Sequence, residues 1–237
     1  MIPSKTYDFP EGEFLLIDKP TGWTSFDVVN KIRHMIRHHI GIKKLKVGHA
    51  GTLDPLATGL LLVCAGKATK RIPEYTGLDK EYTGTFFLGE TTPSFDLETE
   101  VDQRYSTAHI TENMILETAK GFLGHIQQVP PVYSAIKVDG KRSYMQARMN
   151  KDVKLKAREV VIHEFEILQA GIPETDFRVI CSKGTYIRSL ANDFGKALES
   201  GAYLKSLRRT KIGPFSIDQA LQIEQLESQL SGQGLKS

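Results

Sequence analysis

Apolar residues along the chain fall into short blocks with two rhythms. Residues 13–18 form a brief apolar block that predicts a strand. Phe26, Val29, Ile32 and Ile36 then recur at helical spacing. Ser25 can cap that helix, Asp27 suits its first turn, and Gly41 ends it. The unbroken run 60–65 is too short for most helices and reads as a buried strand. Residues 81–89 alternate as a strand should, and 111–123 read as a helix ending before Gly124. Residues 132–138 predict a strand leading into an Asp139-Gly140 hairpin turn. Residues 153–168 are β-rich, and 177–183 form a further strand. Ile187, Leu190, Ala191, Phe194 and Leu198 mark an amphipathic helix. Ser216 can cap a last helix carrying Ile217, Leu221 and Leu226. This mixture, without internal repeats, predicts an α+β fold.

Composition narrows the class. The chain has 237 residues, enough for a sizeable core. No apolar run approaches the ~20 residues of a membrane span. The first residues lack the apolar centre of a signal peptide, so a cytoplasmic location is expected. The two cysteines, Cys64 and Cys181, sit in apolar segments and read as small core residues. Net charge is only +3, but its distribution is uneven. Lys31, Arg33, His34, Arg37, His38, His39, Lys43, Lys44 and Lys46 occur with no acid between them. Lys205, Arg208, Arg209 and Lys211 form a second group. Such clusters can neutralise phosphates. His34 and His38 have ligand-compatible spacing, but no carboxylate joins them, so no metal site is expected.

The segment 48–59 changes the picture most. It reads Gly48-His49-Ala50-Gly51-Thr52-Leu53-Asp54-Pro55-Leu56-Ala57-Thr58-Gly59. Pro55 pushes Asp54 out of the helical region. The glycines allow positive φ or a close approach to a ligand. The local chemistry favours a rigid loop presenting one aspartate. Composition alone fits a solvated turn equally well.

The full string resembles the catalytic loop of bacterial tRNA pseudouridine-55 synthases of the TruB type. Five further segments match the same family in order. They are Leu15-Leu16-Ile17-Asp18-Lys19-Pro20-Thr21-Gly22-Trp23-Thr24-Ser25, then Lys80-Glu81-Tyr82, then Gln128-Val129-Pro130-Pro131-Val132-Tyr133-Ser134-Ala135. Cys181-Ser182-Lys183-Gly184-Thr185-Tyr186-Ile187-Arg188 and Leu207-Arg208-Arg209 complete the set. The resemblance implies a pseudouridine synthase fold with a central mixed, largely antiparallel sheet and flanking helices. It implies a single catalytic domain over 1–237 with a thumb-like RNA-binding insertion at about 125–151. The RNA-binding PUA domain that many family members carry at the C-terminus is not expected, since only 16 residues follow Leu221.

The resemblance also implies the chemistry. Uridine would be isomerised to pseudouridine at position 55 in the T loop of tRNA, after the base is flipped from its stack. Asp54 matches the catalytic aspartate, acting by covalent attack or by assisting a glycal intermediate. Arg188 matches the arginine that holds that carboxylate. Tyr82 matches the tyrosine that stacks on the target base, and Tyr186 and Leu207 match residues lining the same pocket. His49 matches a residue that takes the vacated place of the base. Lys19 and Pro20 are expected to support the loop. Lys141, Arg142 and Arg148 are expected to hold RNA. Breaking and remaking one glycosidic bond adds no outside group, so no cofactor and no metal is expected. The partner is the T arm of tRNA, with no membrane, no obligatory protein partner and a monomeric state. Two other readings stay open: a noncatalytic tRNA-binding factor, and a uridine isomerase for another RNA. Asp54, Tyr82 and Arg188 all being present argues against the first.

Overall fold

A computed structural model describes residues 6–134, 137–138, 141–142 and 155–232, of which 137–138 and 141–142 are described by backbone alone. The fold is mixed α+β, with a central, largely antiparallel sheet and flanking helices. In chain order, β1 (Glu13–Lys19), α1 (Ser25–Met35), β2 (Val47–His49), β3 (Thr58–Ala65) and α2 (Ile72–Thr76) come first. Next are β4 (Lys80–Leu88), β5 (Glu90–Thr91), β6 (Gln103–Arg104), α3 (Glu112–Lys120) and β7 (Gly124–Gln128). Then follow β8 (Lys137–Val138), β9 (Lys141–Arg142), β10 (Arg158–Gln169) and β11 (Glu174–Cys181). The chain closes with α4 (Ile187–Ala197), β12 (Ala202–Ile212), β13 (Phe215–Ser216) and α5 (Ile223–Gly232). Two compact units divide it, Met1–Lys80 with Arg208–Ser237, and Glu81–Leu207.

The first unit is organised by β3. It pairs antiparallel with β1 and β2, and parallel with β12 through Arg208↔Thr58 and Arg209↔Gly59. Side chains alternate across a strand. Leu61, Val63 and Ala65 therefore join one core, while Leu60, Leu62 and Cys64 join another. A strand covered on both faces needs apolar residues at every position. That is why 60–65 reads as an unbroken run. β1 splits the same way, with Leu15 and Ile17 on one side and Phe14 and Leu16 on the other. α1 lays Val28, Val29, Ile32 and Met35 on the first core, where Ile223, Leu226 and Leu230 of α5 join them.

Several expected details shift. The cap of α1 is Thr24, which forms a reciprocal capping box with Asp27. Ser25 is buried and bonds elsewhere. Phe26 lies 60% exposed, and Val28 and Met35 supply the core face instead. The helix passes through a π-helical turn, Ile36–Ile40, before Gly41 ends it at φ 79°. Ser216 caps only a 3-10 turn, Ile217–Gln219, and the last helix starts later, at Ile223. Residues 132–134 are not strand. β8 covers only Lys137–Val138 and pairs with β9, while Asp139 and Gly140 lie outside the described residues.

In the second unit the strand order is β12-β4-β11-β10-β7. Its centre is aromatic. Phe86 stacks on Phe177 at 4.1 Å between ring centres; Phe165 approaches both at 6.2 Å, and Phe194 lies 5.3 Å from Phe86 and 5.8 Å from Phe165. Each such pair is worth roughly 0.5–1.5 kcal/mol beyond the area it buries. α4 buries Leu190, Ala191 and Phe194, as its spacing predicts. β7 pairs in register with β10, so the first residues of the expected insertion belong to the sheet.

Gly59 shows how tightly the loop end is built into the sheet. It sits at φ +101°, and a Cβ there would lie 2.3 Å from the carbonyl oxygen of Arg209. Gly59→Ala should therefore cost roughly 2 kcal/mol or more, through strain and a lost ladder contact. A denaturant midpoint equal to wild type would contradict this.

Candidate active site

The loop carrying Asp54 is fixed along its whole length by bonds within the first unit. Ala50 N–H donates to Leu62 O at 2.9 Å, tying the loop entrance to β3. Ala57 N–H donates to Asp54 O at 3.1 Å, closing a turn with Pro55 at its second position, where proline is favoured. Ser25 Oγ accepts from Leu53 N–H at 2.8 Å and approaches Leu53 O at 3.1 Å. Gly22 N–H donates to Pro55 O at 2.8 Å. Asp54 is thus gripped on both sides by its neighbours' main chain. Its own residue is half-buried.

Two buried cations complete the support. Lys19 is fully buried, and its Nζ donates to Pro20 O at 2.9 Å, Trp23 O at 2.6 Å and Pro55 O at 3.3 Å. All three of its donors are used on carbonyls, two in the turn that follows β1 and one, at Pro55, in the Asp54 loop. Burial pushes its pKa down from 10.5 to about 8, opposed by the charge of Asp54 and reinforced by that of Arg209. Arg209 is 1% exposed. Its Nε donates to Leu60 O at 2.7 Å and its Nη2 to Gly51 O at 3.1 Å, so one guanidinium joins the front of the loop to β3. Gly51 itself sits at φ +99°, a conformation its lack of a Cβ permits.

This overturns part of the charge reading. Arg209 is no surface group. Arg208 forks onto Asp18 at 3.0 and 2.7 Å, and Lys205 pairs with Glu174. Adjacent residues of a strand point to opposite faces, so two neighbouring arginines have separate internal tasks. Lys31 likewise meets Glu227, 196 positions away in sequence.

His49 ends β2 and is half-buried. Burial and then the charge of Arg209 lower its pKa, with a backbone bond at Gly51 opposing them. The ring is therefore neutral at pH 7.

The other expected site residues lie in the second unit. Tyr82 is buried on β4, and Leu207 is half-buried on β12. Arg188 is 3% exposed in the first turn of α4. Its Nη1 donates to Ser94 O at 3.3 Å and its Nη2 to Tyr133 O at 3.0 Å, while Nε lies 3.5 Å from Asp96 Oδ2. Asp96 is 5% exposed and was not anticipated from sequence. No local pattern marks it, because its partner lies 92 positions away. Its loop contains Phe95 at φ 62°, an uncommon conformation for a non-glycine residue, while Ser94 and Thr99 bond across it. Tyr186 is half-buried at the start of α4. Of the expected RNA-binding residues, Lys141 and Arg142 are described by backbone alone, and Arg148 lies outside the described residues.

Comparison with known proteins identifies the family. Residues 37–187 match the model of the TruB family pseudouridylate synthase N-terminal domain. Residues 188–234 match that of the tRNA pseudouridylate synthase B C-terminal domain. The chain belongs to the TruB family of pseudouridylate synthases. It is 57% identical over 224 residues to tRNA pseudouridine synthase B of Flavobacterium johnsoniae, covering 94% of this chain and 98% of that one. It is 54% identical over 229 residues to the protein of that name from Phocaeicola vulgatus, covering 97% of each. Among solved structures, a chain of a Cbf5-Nop10-Gar1 complex superposes with a TM-score of 0.69 at 29% identity. A chain of an H/ACA RNP bound to a substrate RNA containing 2'-deoxyuridine gives 0.67 at 28%. Each likeness covers 93% of this chain, which spans about half of those longer chains, 54% and 53%. As a TruB-family member the protein is an isomerase that makes pseudouridine. No group of three or more His, Cys, Asp and Glu residues suited to a metal ion occurs among the described residues.

The state of His49 gives a pH signature. Its unfolded pKa is near 6.5, and its folded pKa is lower. Below 6.5 the unfolded chain binds the proton first, so stability falls as pH drops through that window. His49→Gln should lose less stability than wild type between pH 7 and pH 5, measured by denaturant midpoint. An identical acid loss in both proteins would show that His49 is not held neutral.

Proposed function

We propose that this chain converts the uridine at position 55 of the tRNA T loop into pseudouridine, with Asp54 as the catalytic carboxylate. The observation that carries the reading is the Asp54 loop itself. Its carbonyls are fixed by Lys19 and Arg209, and its main chain by Ser25. A carboxylate in so rigid a frame is organised before substrate arrives, which is what stabilisation of a developing charge requires. Family membership and the tRNA pseudouridine synthase B relatives support tRNA as the substrate.

The reaction breaks the N1–C1′ bond of uridine, turns the base, joins C5 to C1′ and releases the C5 proton. Its atoms balance without cofactor, metal or outside reductant. Asp54 supplies negative charge at the sugar–base junction, by covalent attack or by assisting a glycal. A stacked base is out of reach, so the uridine is flipped into the site. Tyr82 stacks on it, and Tyr186 and Leu207 line the pocket. Neutral His49 takes the place the base leaves in the RNA. Arg188 orders the carboxylate through its planar, two-pronged donors. Lys141, Arg142 and Arg148 hold phosphates of the T arm. The protein works as a cytoplasmic monomer. No helix among the described residues is long and apolar enough to cross a membrane.

Asp54→Asn tests the chemistry. It keeps the shape of the loop but removes the carboxylate charge, so the variant should fold and bind tRNA while tritium release from C5-labelled uridine is abolished. Near-normal release would end the assignment. Arg188→Lys tests the second role, because lysine keeps the charge and loses the fork. Its single-turnover rate at saturating enzyme should fall at least tenfold, roughly the loss of one charge-assisted hydrogen bond, with tRNA affinity nearly intact. A wild-type rate with weakened binding would make Arg188 a phosphate contact instead.

A further inference from the structure

Tyr186 is held by two residues that sit opposite one another on neighbouring strands. Arg158, at the start of β10, and Gln128, at the end of β7, are partners in the antiparallel register. Gln128 is completely buried. Its Oε1 accepts from Tyr186 N–H at 2.8 Å, and its Nε2 donates to Tyr186 O at 3.1 Å. Both ends of one amide are thus spent on the main chain of one residue. α4 has no side-chain cap at Tyr186, and Gln128, from a distant strand, instead fixes the main chain of the cap residue itself.

Arg158 acts on the ring. Its guanidinium carbon lies 4.6 Å from the centre of the Tyr186 ring, and its Nη2 donates to Gly184 O at 2.6 Å. Its Nε is buried without a hydrogen-bond partner among the described residues. An arginine placed only to fill its donors would not adopt this pose. Stacking on the ring accounts for it, because the guanidinium face is used at the expense of one edge donor. Ser189 Oγ adds a third tie, donating to Val129 O at 2.8 Å.

We propose that Gln128 and Arg158 are positioning residues that together set the tilt of the Tyr186 ring and the start of the helix carrying Arg188. The proposal rests on the reading of Tyr186 as a residue of the base pocket. Neither residue stands near Tyr186 in sequence, and each acts on turnover through it. Gln128 fixes where the ring is attached, and Arg158 fixes how it lies.

A double-mutant cycle tests this, with tRNA transcript as substrate. Arg158→Met should lower the single-turnover rate at saturating enzyme by roughly tenfold, the size of a partly desolvated cation–π contact. Affinity for tRNA should stay within about twofold by the same argument, since the contact is internal. Arg158→Lys should recover part of the rate, because an ammonium also favours the ring face. In a Tyr186→Leu background, Arg158→Met should cost nothing further. Additive losses, or a loss confined to affinity, would overturn the proposal by making Arg158 a direct RNA contact. Gln128→Glu adds a second probe, since its carboxylate cannot donate to Tyr186 O, and it should lower the rate in the same direction. The pocket reading is tested separately: a wild-type rate for Tyr186→Leu alone would remove Tyr186 from the pocket. The clamp has its own readout in 3-fluorotyrosine placed at 186. Its fluorine resonance should shift and broaden in Arg158→Met and return towards wild type in Arg158→Lys. An unchanged resonance in Arg158→Met would overturn the clamp whatever the rates show.

Discussion

The first unit depends on the burial of two positive charges under one loop. Lys19 and Arg209 are both almost completely removed from solvent. Leaving water costs each ion several kcal/mol unless its donors are filled. They are filled by main-chain carbonyls of residues 20, 23, 51, 55 and 60. The dependence runs both ways. If the loop moved, each buried cation would lose an acceptor, Pro55 O for Lys19 and Gly51 O for Arg209, and if either cation were removed, that loop carbonyl would lose its donor. The stronger of the two anionic charges felt by Lys19 is that of Asp54, with Asp27 the weaker. Rigidity and electrostatic environment therefore come from the same pair of side chains.

That pair can be buried only because the sheet brings its elements together. Lys19 is the last residue of β1, and Arg209 lies on β12. Both strands flank β3, whose first residues are the last of the Asp54 loop. The parallel register Arg209↔Gly59 puts the arginine beside the exit of the loop. A glycine at that position lets the two backbones approach. The two-sided apolar character of β3 thus does more than fill a core. It places the loop between two strands that each deliver a cation to it.

Sequence was informative where residues act locally. The unbroken run 60–65, the spacing of Ile187 to Leu198 and the Asp-Pro step of the loop each encode their structure within a few positions. It was less informative where a polar group answers a distant one. β12 was hidden because Lys205, Arg208, Arg209 and Lys211 make it look like a solvated basic surface. Only the fold shows that Arg208 answers Asp18 and that Arg209 answers carbonyls. Thr24 and Ser25 were exchangeable as caps by type alone. The choice fell to Thr24 because Ser25 is needed by Leu53. Asp96 carried no local signal at all, since burial beside Arg188 is a property of the tertiary structure. The candidate site residues stood out as motifs, but the forces that hold them did not.

Charge pairing also changes what the net charge means. A formal +3 suggests weak attraction for a polyanion, yet the sum hides which cations are free to act. Lys31, Lys67, Arg71, Lys120, Arg178, Lys205 and Arg208 face carboxylates at 3.0 Å or less. Lys19 and Arg209 are buried on carbonyls. Arg37, Lys43, Lys44 and Lys46, by contrast, are exposed and make no ion pair among the described residues. They fall in one stretch that runs directly into β2 and His49. Surface ion pairs contribute little to stability, so internal pairing is a poor reason for clustering charge. Four unpaired cations leading into the loop that presents Asp54 keep their full attraction for an external anion. On the proposed reading, phosphate contacts near the reacting uridine draw on these residues rather than on the arginines of β12, whose charges are already committed.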